Sequence, residues 1–133
     1  MDAREAQDKE PIQGGVIYFA PPDYHLLVET NRSLSLSNEE PVHYSRPSID
    51  VLFETAVDAY GAGLLGIILT GANEDGARGL RAIHQAGGTA LVQQPDQAYA
   101  ATMPAAALSA CPGARALTLE EIATHLKGAI RCP

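Results

Sequence analysis

No apolar run in this chain approaches the roughly 20 residues that a bilayer-spanning helix needs, so membrane insertion is not expected. No basic cluster offsets the formal net charge of −7 and the pI of about 4.9, and so acidic a surface is unsuited to nucleic acid. The opening stretch MDAREAQDKEPIQGG has no apolar h-region, so it does not read as a secretory signal, and Met1–Gln13 is expected to be a flexible lead-in. Cysteine is scarce. Cys111 and Cys132 stand far apart, in no metal-ligating spacing, and are expected as free thiols in a reducing cytosol, the first buried and the second in a frayed tail. No internal repeat, low-complexity linker or domain boundary interrupts the 133 residues, a length that suits one domain with a real core and is too short for two.

What is present is a soluble globular composition, 46% hydrophobic and 19% charged. Gly15–Ala20 is β-branched and aromatic and predicts a strand, stopped by Pro21-Pro22-Asp23. Two short strands, His25–Glu29 and Ser33–Ser37, flank a Thr30-Asn31-Arg32 turn. Pro47 suits the first turn of a helix, along which Ile49, Leu52, Phe53, Ala56, Val57 and Tyr60 share one face. Leu64–Leu69, apolar throughout and bounded by glycines, predicts a fully buried strand. A helix over Gly76–Ala86 and a strand over Thr89–Gln93 follow, an order that implies a parallel crossover. A short alanine-rich helix over Pro104–Ala110 and a strand over Ala114–Leu117 come next. Thr118-Leu119-Glu120-Glu121 is a capping box that opens a last helix with Leu119, Ile122, Leu126 and Ile130 inward.

The chemistry concentrates in Leu64–Gly79, LLGIILTGANEDGARG, where an apolar strand meets a polar loop and then a helix. In open α/β sheets, ligands and reacting groups gather just beyond the carboxyl ends of strands. Gly71, Gly76 and Gly79 match neither the P-loop nor the dinucleotide pattern, and Glu74 and Asp75 sit where a phosphate would, so a nucleotide site is not expected. Asp75 has two compatible readings. It can cap the helix that follows it, or it can orient a histidine during acyl transfer.

The stretch ILTGANEDGARGLRAIHQAGG resembles the corresponding segment of the CheB-type chemotaxis protein-glutamate methylesterases. The resemblance continues through YFAPPDYHLLVE and HYSRPSIDVLFETAV upstream, and through GTALVQQP and ATMPAAAL downstream. It implies an α/β fold, a three-layer sandwich with a mainly parallel sheet, truncated on its amino-terminal side and carrying a short antiparallel hairpin; residues 14–133 would be a partial catalytic domain. It also implies a cytoplasmic hydrolase that acts on methylated chemoreceptor cytoplasmic domains without metal or organic cofactor. Within that resemblance Asp75 matches the acid of a Ser-His-Asp triad. The backbone at Ala72 would lie near the oxyanion, Met103 in a loop beside the site, and Arg46 in a motif that could orient substrate.

The family's nucleophile lies in a G-x-S-T-G-G turn and its catalytic histidine in a Q-H-M-P segment, and this chain contains neither. It is therefore expected to be inactive alone, or to be a non-catalytic interaction module derived from the esterase. A makeshift Ser45–His43–Asp75 set is disfavoured, because Ser45 has no glycine-rich elbow to supply oxyanion donors. His25, His84 and His125 are the other histidines. A parallel sheet with an open side exposes an edge, so a homo-oligomer is expected through Leu64–Leu69 or its neighbours.

Overall fold

The computed structural model describes residues 2–43 and 45–129. Three parallel strands, β5 (Leu65–Ile68), β6 (Thr89–Gln93) and β7 (Arg115–Leu117), form a sheet in that order. Ile68, Val92 and Ala116 lie in one cross-strand row. Two helices, α2 (Ala77–Gln85) and α3 (Thr102–Ala110), cover one face, where Ile68, Ala90 and Val92 pack with Leu80, Ala107 and Cys111. Strand side chains alternate, so Leu91, fully buried, faces the opposite side. There α4 (Leu119–Ala129), opened by its capping box, packs on β6 and β7 with Ile122 buried. The result is helix, sheet, helix, with strand–helix–strand connections as the sequence order implies.

A second core lies beside the first. The antiparallel hairpin of β3 (His25–Val28) and β4 (Leu34–Ser37) contributes Leu26, Val28 and Leu34, packed against Ala56 of α1 (Ile49–Tyr60). Val28 N–H at the edge of β3 donates to Thr55 Oγ1 at 3.0 Å, which ties the hairpin to α1. α1 and α2 then pack closely against each other. A methyl group at Gly79 would stand 2.7 Å from Phe53 Cβ and 3.2 Å from Asp50 Cα, so only glycine permits the approach.

Three expectations are corrected. Residues 2–13 are not a structureless lead-in: β1 (Asp2–Glu5) pairs in parallel with β2 (Val16–Phe19), and Ala6 enters the second core at 3% exposure. All four residues of β1 are exposed, so backbone pairing rather than burial holds it, and no apolar alternation announces it. β5 is not buried on both faces. Gly66 and Ile68 are buried, whereas Leu65 and Ile67 are half-buried, because β5 is an edge strand and the helices cover one of its faces. Leu119 does not point inward but is 54% exposed, since it sits in the first turn of α4, beyond the sheet. Ile130 and Cys132 lie outside the described residues. Among the described residues, no helix is long and apolar enough to cross a membrane.

Candidate active site

Just past the end of β5 the chain turns through Thr70–Gly76 into α2. Asp75 Oδ1 accepts from the Ser48 hydroxyl at 2.8 Å and from Asp50 N–H at 3.1 Å; Oδ2 accepts from Ile49 N–H at 2.6 Å. All three donors belong to the start of α1. Asp75 is thus a cap, but of the neighbouring helix rather than its own. The residue before α2 is Gly76, which has no side chain to offer.

The debt is returned by Asp50 in the first turn of α1. Its Oδ1 accepts from Gly76 N–H at 3.1 Å and from Gly79 N–H at 2.7 Å, the opening donors of α2. Each helix is therefore capped by a carboxylate carried at the start of the other. Two helix N-termini converge here, and their partial positive charge favours both acids. Both are buried, Asp50 at 1% and Asp75 at 4% exposure. Burial pushes the Asp50 carboxyl above the usual carboxylate range; the Gly79 N–H opposes the rise and the nearby charge of Asp75 adds to it.

A carboxylate offers about four lone-pair positions. Asp75 uses three on the donors above, and the one that remains is on Oδ2. The arrangement fixes the carboxylate rigidly and leaves it able to accept a single further N–H, which is what orienting an imidazole requires.

Ala72 is exposed at the tip of the same loop. Met103 N–H donates to Gly71 O at 3.0 Å, and the Met103 side chain lies so close over Gly71 that a methyl group there would fall 2.6 Å from its Sδ and Cε. Ala72 and Met103 are therefore brought to one rim. Arg46 Nη1 donates to the carbonyls of Asn38 and Glu39 at 2.9 and 3.2 Å, clasping the loop before α1. It acts there as a tether, a role that its place in the motif did not reveal.

The Ser45–His43–Asp75 set does not form. Ser45 Oγ donates to Pro47 O at 3.3 Å, and His43 Nε2 approaches Asp50 Oδ2 at 3.8 Å, beside a cavity of about 270 Å³ that Glu74, Arg78 and Arg81 also line. His25 is buried on β3 with Nε2 2.9 Å from Glu40 O. His84 lies in the last turn of α2, its ring against Gly113, and His125 is half-buried on α4. Among the described residues no histidine hydrogen-bonds to Asp75.

Ser48 and Asp50 were not singled out from the sequence. A serine ahead of a helix and an aspartate in its first turn read as ordinary local capping. Ser48 does cap its own helix through Val51 N–H at 3.4 Å, but that its hydroxyl and the Asp50 carboxylate also serve partners 26 to 29 residues away follows only from the packing of α1 on α2.

The CheB methylesterase family model matches residues 1–126, and the chain belongs to that family. A relative from Leptospira interrogans, provisionally named a protein-glutamate methylesterase/protein-glutamine glutaminase, is 52% identical over 120 residues, 90% of this chain and 62% of the relative. A protein-glutamate methylesterase/protein-glutamine glutaminase of Rhodospirillum rubrum is 38% identical over 125 residues, 92% of this chain and 32% of its own length. The crystal structure of the CheB methylesterase catalytic domain of Thermotoga maritima matches with a TM-score of 0.83 and 26% identity, over 92% of this chain and 66% of that one. The chain thus spans less than two thirds of the Leptospira relative and about a third of the Rhodospirillum one.

Proposed function

We propose that this chain supplies the acid and one wall of a protein-glutamate methylesterase site that acts, in the cytoplasm, on glutamyl methyl esters of chemoreceptor signalling domains. The observation that carries the reading is the state of Asp75: buried, held by three donors, and with one lone pair left for an imidazole N–H. The names of the relatives supply the reaction class. In this reading a serine hydroxyl attacks the ester carbonyl while a histidine takes its proton. Methanol leaves with a proton returned by that histidine. Water then releases the glutamate and regenerates the serine. Asp75 holds the histidine in the right tautomer and stabilises its protonated form. The exposed loop at Ala72 borders the position of the developing oxyanion.

In this reading the nucleophile and base come from outside these 133 residues and the chain alone is inactive, which agrees with Ser45 Oγ being bonded to Pro47 O and His43 lying beside Asp50. The open edge of β5 is consistent with this. β5 pairs on one side only among the described residues, and Leu65, Ile67 and the 42%-exposed Leu69 leave apolar surface beside that edge. A further strand belongs there, either from a segment bearing the missing groups or from a second copy of the chain. Sedimentation velocity decides on self-association: a dimer supports the second copy, and a monomer at all concentrations removes it.

The function is tested with a hybrid in which residues 14–126 replace the matching portion of the Leptospira relative. Methanol release from methylated receptor membranes is the readout. The hybrid is expected to release methanol and the chain alone to release none. A folded hybrid that releases none while the intact relative does so overturns the reading.

A further inference from the structure

The loop after β6 is fastened on both sides of Tyr99. Gln97 N–H and Ala98 N–H donate to Gln94 O and Pro95 O at 3.0 and 3.2 Å. Gln93 Nε2 donates to Gln97 O at 3.4 Å, while its Oε1 accepts from Thr70 N–H at 3.0 Å. Ala100 N–H donates to Thr70 Oγ1 at 2.8 Å, Thr70 Oγ1 donates to Ala100 O at 3.2 Å, and Gly71 N–H donates to Ala100 O at 3.1 Å. Between these fastenings stands Tyr99, 100% exposed.

A whole aromatic ring held in water by a pinned backbone contributes nothing to the core. Tyrosine in such a position suits binding, because it presents large amphipathic area and has few torsions to immobilise. The location is specific. Thr70 and Gly71 are bonded to Ala100, so Tyr99 lies one residue from the very contact that positions the Ala72 loop. Chain geometry keeps the Cα atoms of Ala72 and Tyr99 within about 13 Å. Two turns of an α-helix rise about 11 Å. Four residues near Tyr99, Leu69 at 42% exposure and the exposed Thr70, Ala72 and Ala101, carry no charge, with exposed acids at the margins, Asp96 three residues before Tyr99 and Glu74 two after Ala72.

We infer that Tyr99 is a specificity-determining residue that docks the helix carrying the glutamyl methyl ester, gripping an apolar or small side chain one or two turns from the ester. The inference rests on the proposed function, since it takes the substrate from there. Tyr99 contacts the substrate helix away from the reacting carbonyl and takes no part in the chemistry.

The test is isothermal titration of the 133-residue chain with a synthetic peptide copied from the methylation helix of a chemoreceptor and carrying the γ-methyl ester. Wild type is expected to bind, Tyr99→Ala to bind about 10-fold or more weakly, and Tyr99→Phe to stay within about threefold of wild type, because the ring rather than the hydroxyl makes the contact. Since the side chain is fully exposed, Tyr99→Ala leaves the fold intact, as circular dichroism will verify. Equal binding by wild type and Tyr99→Ala, or no binding by wild type, overturns the inference. Neither result touches methanol release by the hybrid, which judges the proposed function separately.

Discussion

Asp75 and Asp50 exchange helix caps: Asp75, at the mouth of α2, accepts from the N–H groups of Ile49 and Asp50, and Asp50 in α1 accepts from those of Gly76 and Gly79. The two carboxylates join the starts of α1 and α2 into one rigid unit, and the candidate site is built on it.

Removing the Asp75 carboxylate strands a buried hydroxyl and two backbone N–H groups. Asp75→Ala is expected to destabilise the chain by about 3 kcal/mol, and Ser48→Ala by about 1 kcal/mol, since Ser48 loses one bond to Asp75 and its cap of Val51 N–H. Urea unfolding measures both. A loss of under half a unit for Asp75→Ala would mean that solvent replaces the lost acceptor.

Asp50 gives the chain a pH dependence whose sign follows from its surroundings. Burial raises its native carboxyl above the ordinary range, so the folded chain binds that proton more tightly than the unfolded chain does. Its contribution to stability is fully present below the unfolded value, near ~4, and is lost as pH rises through the raised native value. Asp50→Asn removes this dependence. Unfolding measured across that window is expected to give a smaller stability gap between wild type and variant as pH rises. A gap that widens would contradict the assignment.

Gly79→Ala sets two effects against each other. Alanine in a helix interior gains about 1 kcal/mol over glycine. Against that, its methyl would press on Phe53 Cβ and on the Asp50 backbone, neither of which can turn aside, and overpacking of this kind costs about 1–3 kcal/mol. A net loss of about 1 kcal/mol is expected in thermal or urea unfolding. A net gain would show that α1 and α2 separate freely.

The fold was legible where periodicity and punctuation agreed. Ile49 to Tyr60 at helical spacing, Thr89–Gln93 between glycine and proline, and the Thr118–Glu121 box all fall where their patterns indicate. β1 was not legible, because DARE buries nothing and is held by pairing with a strand 14 residues on. The site was legible in part. Asp75 stood out by its place after β5, but its actual partners lie on α1, and neither Ser48 nor Asp50 carries a local mark of that bond. Arg46 belonged to a recognisable motif, yet its guanidinium reaches back to two carbonyls that no spacing rule identifies.

The claim that Asp75 orients a catalytic histidine is tested most directly by Asp75→Asn in the hybrid with the Leptospira relative, at a temperature where circular dichroism verifies folding. The account predicts that kcat for methanol release falls about 10⁴-fold with KM nearly unchanged, because the imidazole loses its orientation and its counter-charge while the substrate surface stays intact. A folded Asp75→Asn hybrid that keeps kcat within a few-fold of the parent would contradict it, and would leave Asp75 as the cap of α1 alone.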